Sequence, residues 1–298
     1  MNFKCYLNGK EVLDQSLVEA LNQNEIPIFE SFRVYNGVVF RLEEHLKRLS
    51  DSAKSCGVDL PRSAALGFAV QKAMQAHGAA DGFIRLNFQS GNIFVMIGER
   101  KHNSEIYQTG VDLKTSSFRM PSPGESIVQA KTGNYRLQLL QGAERGVSLQ
   151  SSVVGRQSFE WLFLDENHFL TEARVGNYFM VKKGQIWTPP SMSVLNGITR
   201  EVVIECARES GIQVKEIPLS RHDAFNADEA FLTNTSWEIL PVRSLDGREV
   251  QETIPGPVTQ KLIQFFKRKV KNECQPQKKL SPIQKLNAPS SRSRIKKG

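Results

Sequence analysis

The amino-acid sequence predicts an α+β protein. Three observations carry that reading. Short runs rich in alternating or β-branched residues are joined by Asn-Gly turns. Amphipathic stretches with apolar residues at helical spacing lie between them. The two kinds of segment follow one another without the regular strand–helix alternation of a doubly wound parallel sheet. The chain has 298 residues, of which 40% are hydrophobic and 23% charged. That composition is ordinary for a globular protein, and the length suits one large domain or two modest ones.

The elements follow in order. "CYLNGKEV" reads as a hairpin turning at Asn8-Gly9, and "IPIFESFRVYNGVVFRL" as a second one turning at Asn36-Gly37. "LEEHLKRLSDSAKSCG" is a helix with Leu42, Leu46, Leu49 and Ala53 on one stripe and Gly57 as its stop. A second helix is expected from Ala64 to His77, then two strands joined by Ser90-Gly91-Asn92. The run "TSSFRMPSPGES", with two prolines and several small polar residues, reads as a linker. After it come a helix entered at Lys131, the strands "FEWLFLD", "GNYFMVKKG" and "QIWTPP", the helix "TREVVIECARES" closed by Gly211, the strand-like "ADEAFLTNTSWEILPV" and a last helix near Val258–Val270. The expected organisation is therefore an N-terminal α+β domain over 1–114, a linker over 115–126, a C-terminal α+β domain over 127–271 and a tail over 272–298.

The net charge is +8, but its location weakens any case for nucleic acid. From Asn272 onward the chain carries seven Lys or Arg against one Glu, which is +6 of that total. This tail is rich in Pro, Ser, Gln and Lys and cannot bury enough surface to offset its ordering entropy, so it is expected to be disordered. No apolar run approaches eighteen residues, and the first twenty mix charges with apolar positions, which argues against a membrane span or a signal peptide. Cys5, Cys56, Cys206 and Cys274 form no C-x-x-C pair, and the five histidines show no ligand spacing. A reducing cytoplasm and no metal are expected.

Several segments could build a site. Lys131 stands at the edge of apolar sequence with no acidic residue within five positions on either side. A lysine in a partly desolvated pocket loses its proton more easily and can attack a carbonyl. In "SVLNGITR", Gly197, Ile198 and Thr199 fall where a helix begins, a place suited to an anion; Thr199 could equally be a plain N-cap. Glu172, after the turn Asp165–His168, could salt-bridge a ring nitrogen or be a strand-end surface charge. Thr233, Asn234, Thr235 and Ser236 interrupt two apolar runs and should form a tight turn able to hold phosphate or carboxylate. Arg48 lies four residues after Glu44, a routine ion-pair spacing for an exposed helix face.

Taken together and in this order, these pieces resemble the class IV pyridoxal-phosphate aminotransferases, which include branched-chain aminotransferases, D-amino-acid aminotransferases and aminodeoxychorismate lyases. The likeness rests on "FESFRVYNGVVFRLEEHLKRL", "AKTGNYRLQLLQGAERG", "LTEARVGNYFMVKKGQIWTPP", "SVLNGITR" and "ADEAFLTNTSWEILPV", and covers about residues 1–270. It implies the two-domain D-amino-acid aminotransferase-like fold (fold type IV) and pyridoxal 5'-phosphate as cofactor. It implies Lys131 as the Schiff-base lysine and Glu172 as partner of the pyridine nitrogen. Arg48, Ile198, Thr199 and Thr235 would form the cradle for the phosphate, Gly197 and Ser236 would also bind the cofactor, and Tyr135 would touch the phenolate oxygen. Phe29, Arg33, Phe83 and Arg85 would line the substrate pocket. It further implies a homodimer acting on an amino acid and a 2-oxo acid. Ser31 stands where branched-chain enzymes typically carry Gly, Phe83 where they carry Tyr, and Asn196 where Pro is usual. Branched-chain L-amino acids are the first expectation for the donor, with D-amino-acid transamination and aminodeoxychorismate cleavage as alternatives.

Overall fold

The computed structural model describes residues 3–13, 28–78, 80–99, 102–120, 129–133 and 159–275. The expected α+β class holds, in two lobes with separate cores. The first lobe is built on an antiparallel sheet. Its strands are β1 (Phe3–Leu7), β2 (Lys10–Val12), β3 (Ile28–Tyr35), β4 (Val38–Val39), β5 (Gly82–Gln89) and β6 (Asn92–Gly98), in the order β2-β1-β6-β5-β3-β4. The expected Asn-Gly hairpins form, with Asn8 and Asn36 at positive φ followed by positive-φ glycines, the geometry that short hairpin turns require. Helix α1 (Leu42–Ser55) and helix α2 (Ser63–His77) pack on one face. Leu46, Leu49 and Ala53 of α1 join Phe32 and Val34 of β3 and Ile84 and Leu86 of β5 in that core.

The second lobe contains β7 (Val111–Met120), β8 (Phe159–Asp165), β9 (Leu170–Ala173), β10 (Gly176–Lys182), β11 (Gln185–Thr188), β12 (Val214–Glu216), β13 (Glu229–Asn234), β14 (Glu238–Leu245) and β15 (Arg248–Glu249). The order runs β12-β11-β10-β13-β14-β7-β8-β9, and β9 pairs back onto β10. Six of these strands, β10, β13, β14, β7, β8 and β9, therefore close into a ring, a barrel with no free edge among them. Helix α3 (Ile106–Thr109) precedes the barrel in the chain. Helix α4 (Ile198–Glu209), the short α5 (Arg221–Phe225) and the C-terminal α6 (Pro257–Glu273) complete the lobe. Val202, Val203 and Cys206 of α4 meet Leu262 and Phe266 of α6 over Phe179 and Phe231.

The expected linker over 115–126 is corrected as far as Met120. Residues 115–120 continue β7, which pairs parallel with both β14 and β8. Small polar residues that look loop-like in isolation become strand when both neighbours supply ladder partners. The disordered tail expected from 272 is corrected at its start, because α6 runs on to Glu273 and Cys274 is buried; the rest of that tail, from 276, lies outside the described residues, as do residues 121–128, the helix expected after Lys131 and Tyr135 within it. Among the described residues no helix is long and apolar enough to cross a membrane.

Arg41, which precedes α1, ties the lobes together. Its guanidinium donates to Glu205 of α4 and to Glu273 of α6, with distances from 2.7 to 3.1 Å. Tyr35 adds a second link, its hydroxyl donating to Glu238 at 2.7 Å.

Candidate active site

A cleft of about 990 Å³, counting its open mouth, lies between the lobes. Each wall follows from a strand or helix periodicity.

On the first-lobe wall, β3 alternates. Ile28, Glu30, Phe32 and Val34 face the core beneath α1, while Phe29 and Ser31 face the cleft. A carboxylate at a core position of a strand needs partners, and α1 supplies them. His45, Arg48 and Ser52 sit at i, i+3 and i+7, a buried polar stripe beside the apolar one. Arg48 donates to Glu30 from Nε at 2.6 Å and from Nη2 at 2.8 Å, a bidentate pair. His45 donates to it from Nδ1 at 2.8 Å. Burial alone would raise the Glu30 carboxyl, but Arg48, Lys131 and His45 together hold it well below the usual carboxylate range. The ion pair that the spacing predicted for Arg48, with Glu44, is replaced by this buried one.

Lys131 is placed by its backbone. Its N–H donates to Ser52 Oγ at 3.0 Å, its carbonyl accepts from Phe29 N–H at 3.3 Å, and Thr132 bridges to Ile28. Its side chain keeps 13% exposure, and Nζ stands 3.5 Å from Glu30 Oε2. Nζ also lies 5.4 Å from the centre of the Phe29 ring, and the Arg85 guanidinium lies 4.0 Å from the same centre. The amine is pushed down to about 8 in all: burial lowers it most, Arg48 and Arg85 lower it too, and Glu30 works against them. The counter-charge absent from the neighbouring sequence comes from a residue 101 positions away.

The second-lobe wall is set by register. Glu172 of β9 pairs with Asn177 of β10, and Asn177 pairs with Thr233 of β13. Residues paired across a ladder share a face, and all three line the cleft. Glu172 is 3% exposed and accepts from Leu195 N–H at 2.8 Å and from Asn177 Nδ2 at 3.2 Å. Asn177 Nδ2 also donates to Leu195 carbonyl at 2.8 Å, so the loop entering α4 is fastened to the Glu172 strand. Gly197 is required by close approach: a Cβ there would meet Asn177 Oδ1 at 2.1 Å.

Gly197, not Thr199, is the N-cap of α4, and no side chain caps this end. Ile198 and Thr199 lie in the first turn, whose N–H groups have no partner within the helix, and both line the cleft. Arg48 Nη1 donates to Asn196 carbonyl at 2.8 Å, bringing its guanidinium to the same end. Three of that group's five donors are thereby taken, leaving two for a ligand. The predicted turn after β13 forms, and Thr235 and Ser236 line the cleft. Asn234 organises it by accepting from Ser236 and Trp237 N–H at 2.8 and 2.6 Å. The Ser236 hydroxyl meets His102 Nε2 at 2.6 Å, so its N–H and hydroxyl are both engaged within the protein.

Phe29, Phe83 and Arg85 lie in the wall as expected, whereas Arg33 does not. It shares their face of β3 but sits further along, 5.7 Å from the Tyr35 ring centre. Two residues of strand, roughly 6.6 Å, carry it past the cleft. Glu30, His45, Ser52 and Asn177 were not among the expected site residues. For Glu30 the available signal was a charge on the apolar face of a predicted strand.

Sequence comparison matches residues 27–245 to the family model described as amino-transferase class IV. A putative branched-chain-amino-acid aminotransferase of Methanocaldococcus jannaschii is 34% identical over 280 residues, 89% of this chain and 95% of that protein. The crystal structure of the Escherichia coli branched-chain amino acid aminotransferase superposes with a TM-score of 0.80 at 30% identity, covering 92% of this chain and 96% of that one. The T.th. branched-chain amino acid aminotransferase, solved as a complex with N-(5'-phosphopyridoxyl)-L-glutamate, gives 0.78 at 25% identity over 92% and 95%. The chain belongs to the class IV aminotransferases.

Proposed function

We propose that this chain is a pyridoxal-phosphate-dependent aminotransferase that takes branched-chain L-amino acids and passes the amino group to a 2-oxo acid such as 2-oxoglutarate. One observation carries the assignment of roles: the amine of Lys131, the buried carboxylate of Glu172 and the uncapped start of α4 open into one cleft. The residues fit the cofactor. The Thr233 hydroxyl is buried in the wall without a hydrogen-bond partner, Arg48 keeps two donors, and the helix start offers N–H groups to an anion.

When bound, pyridoxal phosphate supplies the electron sink for the Cα carbanion. The protein's part is position and protons. Lys131 would be the point of covalent attachment and, once released as a free amine, would carry the proton between the two reacting carbons. Glu172 would accept the ring N–H and keep that nitrogen protonated. Arg48, the N–H groups of Ile198 and Thr199, and Thr235 would hold the phosphate. Gly197 gives the backbone room to do so, and Ser236 supports the turn from within. Phe29, Phe83, Val175 and Trp237 offer an apolar wall to a branched side chain. Arg85 offers a cation to the second carboxylate of an acidic partner, consistent with the glutamate adduct of the T.th. relative.

The same reading includes a homodimer and a cytoplasmic location; Cys5, Cys56, Cys206 and Cys274 are all free thiols. The test is direct. The purified protein should show a visible cofactor band that Lys131→Ala abolishes, and borohydride should fix the cofactor on the Lys131 peptide. L-leucine, L-valine and L-glutamate should convert the band in single half-reactions. Conversion by D-alanine alone, or 4-aminobenzoate formation without any 2-oxo acid, would replace this reading with one of its two alternatives.

A further inference from the structure

We propose that Glu30 is a positioning residue: one buried carboxylate holds the Lys131 amine and the Arg48 guanidinium together and keeps a proton on that amine. The inference rests on the role given above to Lys131.

The geometry is specific. Glu30 is fully buried and its Oε2 is shared. The same oxygen accepts from Arg48 Nη2 at 2.8 Å and His45 Nδ1 at 2.8 Å and stands 3.5 Å from Lys131 Nζ. Its other oxygen takes Arg48 Nε at 2.6 Å. Among the described residues the groups around Lys131 are Glu30 from β3, His45 and Arg48 from α1 and Arg85 from β5, with Glu172 in the opposite wall of the cleft on β9. Arg48 and Arg85 repel an ammonium, and so does burial. Among the described residues Glu30 is the anion paired with that amine, 3.5 Å away, and it favours the charged form. Arg48, with Nε and Nη2 both bound to Glu30 and Nη1 bound to Asn196, cannot swing toward the lysine. A strand side chain thus sets the distance between the two ends of a ligand-binding machine: the attachment amine and the cation beside α4.

The role differs from a purely structural tie between β3 and α1. A structural tie would cost stability when removed but leave the lysine's protonation alone. The probe is trace acetic anhydride on cofactor-free full-length protein, from about pH 6 to about pH 10, with Lys131 acetylation read by peptide mass spectrometry. In Glu30→Gln the labelling midpoint should fall by roughly one pH unit or more relative to the wild type. Glu30→Asp keeps the charge but withdraws it, so its midpoint should fall less. An unchanged midpoint in folded Glu30→Gln overturns the proposal. If that variant does not fold, Glu30→Asp decides on the same criterion; failure of both to fold leaves only the structural tie and also overturns it. Borohydride fixation of the cofactor elsewhere than Lys131 would overturn the proposed function instead, which keeps the two failures distinct.

Discussion

The two walls of the cleft each bury a carboxylate, and they stabilise it by different means. Glu30, on the first-lobe wall, is paired with a bidentate arginine and the lysine amine and also accepts from the His45 imidazole. Glu172, on the second-lobe wall, accepts from neutral groups, a backbone N–H and a side-chain amide. An ion-paired carboxylate has its charge cancelled locally. Glu30 therefore belongs to a charge network inside the protein, whereas Glu172 opens onto the cleft, where the proposed function gives it a ligand.

Four measurements probe the difference between the walls. The largest effect belongs to Lys131→Ala, which removes the group shared between the walls. Turnover should fall by roughly three orders of magnitude or more, with the visible band lost from the absorption spectrum. Next is the stability cost of neutralising each carboxylate. Glu30→Gln leaves Arg48 buried with no anion and should cost about 3–5 kcal/mol, read as a lower urea midpoint. Glu172→Gln keeps both neutral donors partly satisfied and should cost about 1 kcal/mol in the same assay. It should instead lower kcat by roughly 10- to 100-fold, the worth of one charge-assisted hydrogen bond. Equal stability losses in the two variants would erase the distinction. Third, Arg48→Lys exchanges a planar fork for a point charge. Cofactor release into a dialysate should become roughly tenfold easier, with Lys131 still the attachment site.

The smallest effect is a pH dependence. His45 is driven down from 6.5 first by burial, despite Glu30, and Glu30 lies well below the usual carboxylate range. For both groups the unfolded chain binds protons more readily than the folded one, so stability rises with pH across each range. Their contribution is complete above about pH 6.5 and is lost as pH falls through the His45 range and then the carboxylate range. Urea midpoints at successive pH values should show that decline, and His45→Gln should remove its upper part.

Much of this was legible in the sequence, for identifiable reasons. Hairpins at Asn8-Gly9 and Asn36-Gly37 and the α1 stripe are local patterns, and they form where they were expected. The segments carrying Lys131, Glu172, Gly197 and Thr235 were singled out from short motifs, and one cleft gathers them. What escaped notice depends on pairing across distance. The run 115–120 looks like a loop until β8 and β14 flank it. Thr199 looks like a cap until Gly197 takes that place. Glu30 stood within the quoted motif, but its meaning depended on a helix 15 to 18 residues on and a lysine 101 away. Arg33 lies on the cleft-facing side of β3 but outside the lining.

The back-pairing of β9 onto β10 has one more implication. Glu172 and Asn177 form one of the two residue pairs of this seam, a hairpin that turns through Arg174 and Val175. It joins neighbours in the chain and can form early, whereas β14 meets β7 only when distant parts of the sequence come together, a pairing of the slow, non-local kind. A chain stalled short of that closure would hold the Glu172 carboxylate without the finished barrel that frames its pocket.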